Sequence, residues 1–169
     1  MMTVSSLEGG GTERIVCTMA NHWAKRNKEV TIVTFSDQSS QPAYTLHKDV
    51  RIIALDVLGK RRNAIVDNFR RVRKIRKAIK EIKPEGIYAF IEPVNNLTVL
   101  AALVLKIPVI ISDRVDPKLH RYGSSWRLIR LFTYPLAKAL VVQTQEVLKN
   151  YPALLKKNAH VIPNFVSIS

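Results

Sequence analysis

The chain has 169 residues, 47% of them apolar and 24% charged, a balance that fits one folded domain and excludes disorder along its whole length. Cys17 is its only cysteine, so no internal disulfide can form and the fold must rest on its core, as expected in a reducing, cytoplasmic compartment. With 27 Lys and Arg against 13 Asp and Glu, the formal net charge of +14 implies an anionic partner: nucleic acid, an anionic membrane surface or a phosphorylated small molecule.

Residues 2–5 read as a short first strand, without the basic flank and long apolar stretch of a signal peptide. Gly9, Gly10 and Gly11 follow, and Thr12 is placed to cap a helix over 12–26 whose Ile15, Val16, Met19, Ala20 and Trp23 share one face. β-branched runs over 30–35 and 50–55 read as strands, joined by a polar surface loop over 37–46. A long helix over 63–83 carries an apolar stripe of Ile65, Phe69, Val72, Ile75, Ile79 and Ile82. Its remaining surface is basic, with Arg70, Arg71, Lys74 and Lys77 expected to point outward together. Strands over 86–91, 108–112, 139–143 and 160–162 then alternate with helices over 95–106, 124–137 and 144–157, and Pro135 and Pro152 should end or bend theirs. The longest nearly apolar run, residues 97–105, is too short to cross a bilayer.

Strands alternating with helices imply right-handed crossovers and a Rossmann-like, doubly wound α/β fold of three layers, with a mostly parallel sheet of about seven strands. Chemistry in such sheets collects at the carboxyl ends of the strands. At the first of these ends, three glycines let a ligand approach the backbone, and free helix N–H groups favour an anion such as diphosphate; a plain tight turn explains the glycines equally well. Arg14 stands where a dinucleotide-binding G-x-G-x-x-G would have its third glycine, which argues against a nicotinamide or S-adenosylmethionine enzyme; Asp37 is the only support for one. Asp113, Arg114 and Asp116 follow the fifth strand and could orient hydroxyls or assist proton transfer, or form an Arg-bridged structural clamp. Glu92, Asn95 and Asn96 end the fourth strand, where they suit a polyol; a helix cap by Asn95 is the alternative. The basic helix reads as a solvated face or as one that grips phosphate or an anionic leaflet, with Arg121, Arg127 and Arg130 as a second basic group. The four histidines lack metal-ligand spacing, and no metal is implied.

Residues 6–16 (SLEGGGTERIV) and 19–34 (MANHWAKRNKEVTIVT) resemble the opening of family 4 glycosyltransferases with the GT-B fold. Residues 111–117 (ISDRVDP) resemble a segment of the branch that extends lipid-linked glycans or builds cell-envelope polysaccharide, with Asp113 where that branch more usually has Glu. Residues 141–144 (VVQT) and 161–164 (VIPN) resemble the last strands before the interdomain hinge. The resemblance implies an acceptor-binding half of a retaining enzyme, with no cofactor beyond a nucleotide-sugar co-substrate. A C-terminal donor-binding domain with a Glu-x7-Glu motif would be its partner, because no two glutamates here are so spaced and the last strand lacks its covering helix.

On this resemblance Gly9, Gly10, Gly11, Thr12, Arg14, Glu92, Asn95, Asn96 and Arg114 would bind substrate, with Gly10 and Gly11 closing on the donor diphosphate. Asp113 and Asp116 would be the catalytic candidates on the acceptor side. The protein would sit on the inner face of the cell membrane, peripheral and cytoplasmic, with Arg70, Arg71, Lys74 and Lys77 touching membrane or phosphate and with no specific nucleic acid partner. The alternative is a non-catalytic basic binding module, or a partner subunit of a separately encoded donor domain.

Overall fold

The computed structural model describes residues 1–58, 63–119 and 123–164, with Ser124 as backbone only. Arg121, grouped with Arg127 and Arg130 in the sequence, lies outside the described residues, as do His120 and Phe165. Seven parallel strands form one sheet in the order β3-β2-β1-β4-β5-β6-β7: β1 Met2–Val4, β2 Val30–Thr34, β3 Val50–Ala54, β4 Ile87–Phe90, β5 Val109–Ser112, β6 Ala139–Val142 and β7 Ala159–Val161. Chain order reverses between β1 and β4, which pair through Met2 with Tyr88 and Thr3 with Ala89, and that reversal opens a crevice at the carboxyl edge.

Helix α1, Gly11–Ala24, covers one face, where Val16, Cys17 and Ala20 pack with Met2, Val4, Ile32 and Phe90. Its Trp23 ring lies 4.9 Å from that of Tyr88 on β4, tying the helix across the reversal. On the other face α2, Ala64–Ile82, α3, Glu92–Ala102, and α4, Ser124–Thr133, pack side by side. Their core gathers Ile75, Ile79, Leu97 and Ala101 with Val33, Ile87, Ala89 and Ile111 of the strands.

The two prolines act as their chemistry requires. Helix α4 gives way at Thr133 to a 3₁₀ turn, Tyr134–Leu136, containing Pro135. The expected final helix is split by Pro152 into α5, Gln145–Lys149, and α6, Ala153–Lys156.

Three local expectations are corrected. Gly10, not Thr12, is the N-cap of α1. Helix α3 begins at Glu92, with Pro93 in its first turn, so Asn95 lies inside the helix and caps nothing. The apolar stripe of α2 does not bury throughout: Ile65 and Phe69 are 81% and 65% exposed, while Ile75 and Ile79 are fully buried. A 19-residue helix spans about 28 Å, whereas strands of five residues are about 17 Å tall, so the first turns of α2 overhang the sheet.

Cys17 is part of the core, and its thiol is pushed up to about 11 by burial, reinforced by the Glu13 carboxylate. The native chain should therefore resist alkylation by iodoacetamide at neutral pH and react fully in denaturant. Rapid labelling of the folded protein would show that the helix opens locally.

Candidate active site at the carboxyl edge of the sheet

The turn from β1 into α1 needs glycine at two of its three positions. Gly9 and Gly10 have φ of 134° and 139°, and a Cβ on Gly10 would collide with the Glu13 carboxylate. Gly11 has nothing within 4 Å of where a Cβ would stand, which leaves that side of the turn open. The Tyr44 hydroxyl donates to Gly10 O at 3.2 Å and ties the turn to the loop after β2. Thr12 occupies the first turn of α1, and Arg14 is exposed one residue beyond Glu13.

Across the crevice lies a buried polar network. Ile91, at φ 73°, links β4 to α3 in a backbone region costly for a β-branched residue, and its N–H is held by Ser112 O at 3.1 Å. That kink turns Glu92 inward at 5% exposure, where Arg130 Nη1 donates to Glu92 Oε2 at 2.9 Å. Thr133 donates to Asn96 Oδ1 at 2.5 Å. Asn95 Nδ2 donates to Asp113 Oδ1 at 2.7 Å, the Tyr134 hydroxyl lies 2.8 Å from both Asp113 oxygens, and the Tyr151 hydroxyl donates to Asp113 Oδ2 at 2.6 Å. Asn95 Oδ1 and Asn96 Nδ2 are buried without a partner among the described residues.

Residues 113–116 are brought to one end of the sheet but face different ways. Asp113 is 4% exposed and points into this network. Arg114 is half-buried, with its guanidinium 5.7 Å from the Phe90 ring centroid and Nη1 donating to Asn164 Oδ1. Asp116 accepts from Asn150 Nδ2 at 2.9 Å and from Lys118 N at 2.8 Å. No Asp–Arg ion pair joins the three among the described residues, so the bridged clamp is not what the chain builds.

Arg130, Thr133, Tyr134 and Tyr151 complete the network, and sequence reasoning missed their role by counting Arg130 in a surface basic group. The signal for three of them was the spacing of Arg130, Thr133 and Tyr134 at i, i+3 and i+4, which places them on one side of the end of α4 and the turn after it; Tyr151 had no such local signal.

Burial raises the Asp113 carboxyl above its ordinary range, opposed by the Tyr151 and Tyr134 hydrogen bonds. Glu92 is raised by burial too, opposed by Arg130. Both tyrosine hydroxyls are pushed up, mainly by burial, and stay protonated donors at neutral pH. A raised carboxyl means that the folded state binds the proton more tightly than the unfolded one. The stability that Glu92 contributes is thus full below the ordinary carboxylate range, declines as pH rises from there through its raised value, and is flat above. The stability difference between wild type and Glu92→Gln, read from urea midpoints across pH, should shift against wild type over that window; a difference independent of pH would contradict the raised value.

On α2 three of the four cations do not point freely outward. Arg71 Nε and Nη2 both donate to Val57 O at 3.2 Å, Lys74 Nζ donates to Leu55 O, and Arg70 Nη2 lies 3.5 Å from Asp56 O. The strand end after β3 has spare carbonyls, and charge-assisted donors satisfy them. Lys77 forms an exposed pair with Glu81, 3.8 Å apart, and no other among the described residues. Lys74→Gln should accordingly cost about 1–2 kcal/mol of stability by thermal unfolding, and Lys77→Gln less than about 0.5 kcal/mol.

The chain resembles known proteins in sequence and shape. It is 30% identical over 82% of its length to the Campylobacter jejuni GalNAc-alpha-(1->4)-GalNAc-alpha-(1->3)-diNAcBac-PP-undecaprenol alpha-1,4-N-acetyl-D-galactosaminyltransferase, of which it spans 38%. It is 29% identical over 92% of its length to the amylovoran biosynthesis glycosyltransferase AmsD of Erwinia amylovora, of which it spans 42%. The chain thus covers less than half the length of these relatives. In fold it matches 47% of the sucrose-phosphate synthase of Thermosynechococcus elongatus with a TM-score of 0.70 over 96% of this chain at 12% identity. It also matches 45% of Acinetobacter baumannii MurG with a TM-score of 0.63 over 98% of this chain at 17% identity. Residues 9–169 match the Glycosyltransferase Family 4 domain, and with its glycine turn facing the β4 and β5 strand ends across the sheet's reversal, this chain belongs to that family.

Proposed function

We propose that this chain is the acceptor-side half of a retaining glycosyltransferase that moves a sugar from a nucleotide-sugar to a lipid-linked glycan or a cell-envelope polysaccharide. The observation that carries the reading is the pairing at the carboxyl edge of an open Gly11 at the N-terminus of α1 with the half-buried Arg114 and Asp116, behind which Asn95 and Asn96 are enclosed. In this reading Gly10 and Gly11 meet the diphosphate of a nucleotide-sugar held by a C-terminal donor-binding domain, and the positive end of α1 offsets charge developing on the leaving group. Gly9 sets the turn; Thr12, Arg14 and Arg114 line its mouth. Asp116, at the surface, is the carboxylate able to meet an acceptor hydroxyl. Asp113 is a positioning residue, since its oxygens are committed to Asn95, Tyr134 and Tyr151. The names of both relatives, one acting on a PP-undecaprenol glycan and one in amylovoran biosynthesis, support an acceptor of this class.

An anionic membrane is the surface on which a lipid-linked acceptor would be met. No helix among the described residues is long and apolar enough to cross a membrane. Two places offer exposed apolar side chains for such contact: Ile65, Val66 and Phe69 at the start of α2, and Leu128, Phe132 and Leu136 on α4 and the turn after it, within residues 117–145 that contain no acidic side chain.

The test is a pair of titrations of the purified chain, with a short polyprenyl-diphosphate-linked glycan and with UDP-N-acetylgalactosamine alone. The glycan should bind and the nucleotide-sugar should not, and no sugar should be transferred without a donor half, because transfer needs both substrates held in one cleft. Turnover by the isolated chain, or tight binding of the nucleotide-sugar alone, would overturn the reading.

A further inference from the structure

A second cavity lies beside the crevice, between the loop after β2 and the edge strand β3. Its volume is about 420 Å³, within the range of small-molecule sites. One wall is polar, formed by Ser36, Asp37, Gln38, Ser40, Gln41 and Arg51, and the rest includes apolar Leu7, Pro42 and Ile52.

The polar wall is organised before any ligand arrives. Asp37 Oδ1 accepts from Ser39 N at 2.8 Å, Ser39 Oγ at 2.6 Å and Ser40 N at 3.1 Å, which folds the loop around the carboxylate. Ser40 Oγ donates to Glu8 Oε1 at 2.8 Å, and Ala43 N donates to Leu7 O at 2.8 Å. The loop is thereby fastened to Leu7 and Glu8, immediately before the glycine turn.

Charge narrows the ligand. Within a chain of net charge +14, this wall carries one carboxylate and one guanidinium, with the Glu8 carboxylate adjacent. An anion gains nothing here that it would not gain better elsewhere on the surface. Two exposed primary amides, hydroxyls and a carboxylate offer both donors and acceptors, and the apolar side chains offer a dry face. A pyranose ring has that pairing, with hydroxyls around its edge and C–H groups on its face.

We propose that this cavity is a subsite for a neutral pyranose unit of the acceptor, lying beyond the sugar that reacts. The proposal rests on the acceptor-side reading and extends it, assigning to the residue 37–42 loop the recognition of the glycan rather than of its diphosphate.

The test is to titrate the ¹⁵N-labelled chain with methyl α-N-acetylgalactosaminide, with N,N′-diacetylchitobiose and with inorganic phosphate, following backbone amides. At least one of the sugars should saturate shifts at Ser36, Gln38, Ser40, Gln41 and Arg51 at millimolar concentration, and phosphate should leave these amides unmoved. Gln38→Ala combined with Gln41→Ala, both exposed, should weaken sugar binding about tenfold without changing the rest of the spectrum. Sugar shifts confined to other parts of the chain, no saturable shift with either sugar, or phosphate saturating the same amides would each overturn the subsite. Binding here needs neither donor nor transfer, so the two readings fail separately. Sugar in the cavity without binding of the polyprenyl-diphosphate glycan would defeat the acceptor-side reading, and the reverse would defeat the subsite alone.

Discussion

Arg130→Ala should lower unfolding stability by about 3–5 kcal/mol, a large share of the total for a domain of this size. The side chain is 7% exposed, pairs with the equally buried Glu92 at 2.9 Å and lies 5.5 Å from the Tyr151 ring centroid. Removing it leaves a buried carboxylate without its cation, and Glu92, already raised by burial, would have to take up a proton or draw in water. Because the cost comes from the orphaned charge, Glu92→Leu together with Arg130→Met should recover most of the loss. Urea denaturation of the two variants beside wild type measures both effects. A loss below about 1 kcal/mol for Arg130→Ala would show that the pair is worth no more than an exposed one.

The second large effect is expected at Asp113. Its carboxylate collects donors from three elements, Asn95 on α3, Tyr134 after α4 and Tyr151 between α5 and α6, and thus joins the helices around the carboxyl edge. Asp113→Ala abandons three buried donors at once and should cost about 3 kcal/mol or more, at roughly 1 kcal/mol or more per unsatisfied group. Asp113→Asn keeps one acceptor oxygen, and a tyrosine hydroxyl can turn to accept from its amide, so it should cost less than half as much. In a complete two-domain enzyme the Asn variant should keep the shape of the pH–rate profile, since a positioning residue exchanges no proton with substrate. Loss of one limb of that profile would restore Asp113 to acid–base duty.

The distinction between Asp113 and Asp116 shows where the sequence stops informing. Both carboxylates follow β5 in one short polar segment, and nothing local separates them. Successive side chains in extended backbone point to opposite sides, and only the helices packed on each side decide which carboxylate is enclosed. Asp113 meets two tyrosines that lie 21 and 38 residues away, while Asp116 meets Asn150 and open solvent.

The sequence by itself determined the elements and the class of fold. β-branched runs, helical periods and the glycine turn act through neighbouring residues, so the seven parallel strands, the helix breaks at Pro135 and Pro152 and the turn at Gly9 and Gly10 were all legible. Tertiary structure decided everything that depended on a partner far along the chain. It moved the start of α3 to Glu92, where Arg130 could reach it, and turned Arg71 and Lys74 of α2 back onto the carbonyls after β3. It also left the first turns of the same helix hanging past short strands. Backbone preferences are local and can be read in order, whereas a buried charge or a free carbonyl is satisfied by whatever the strand order brings beside it.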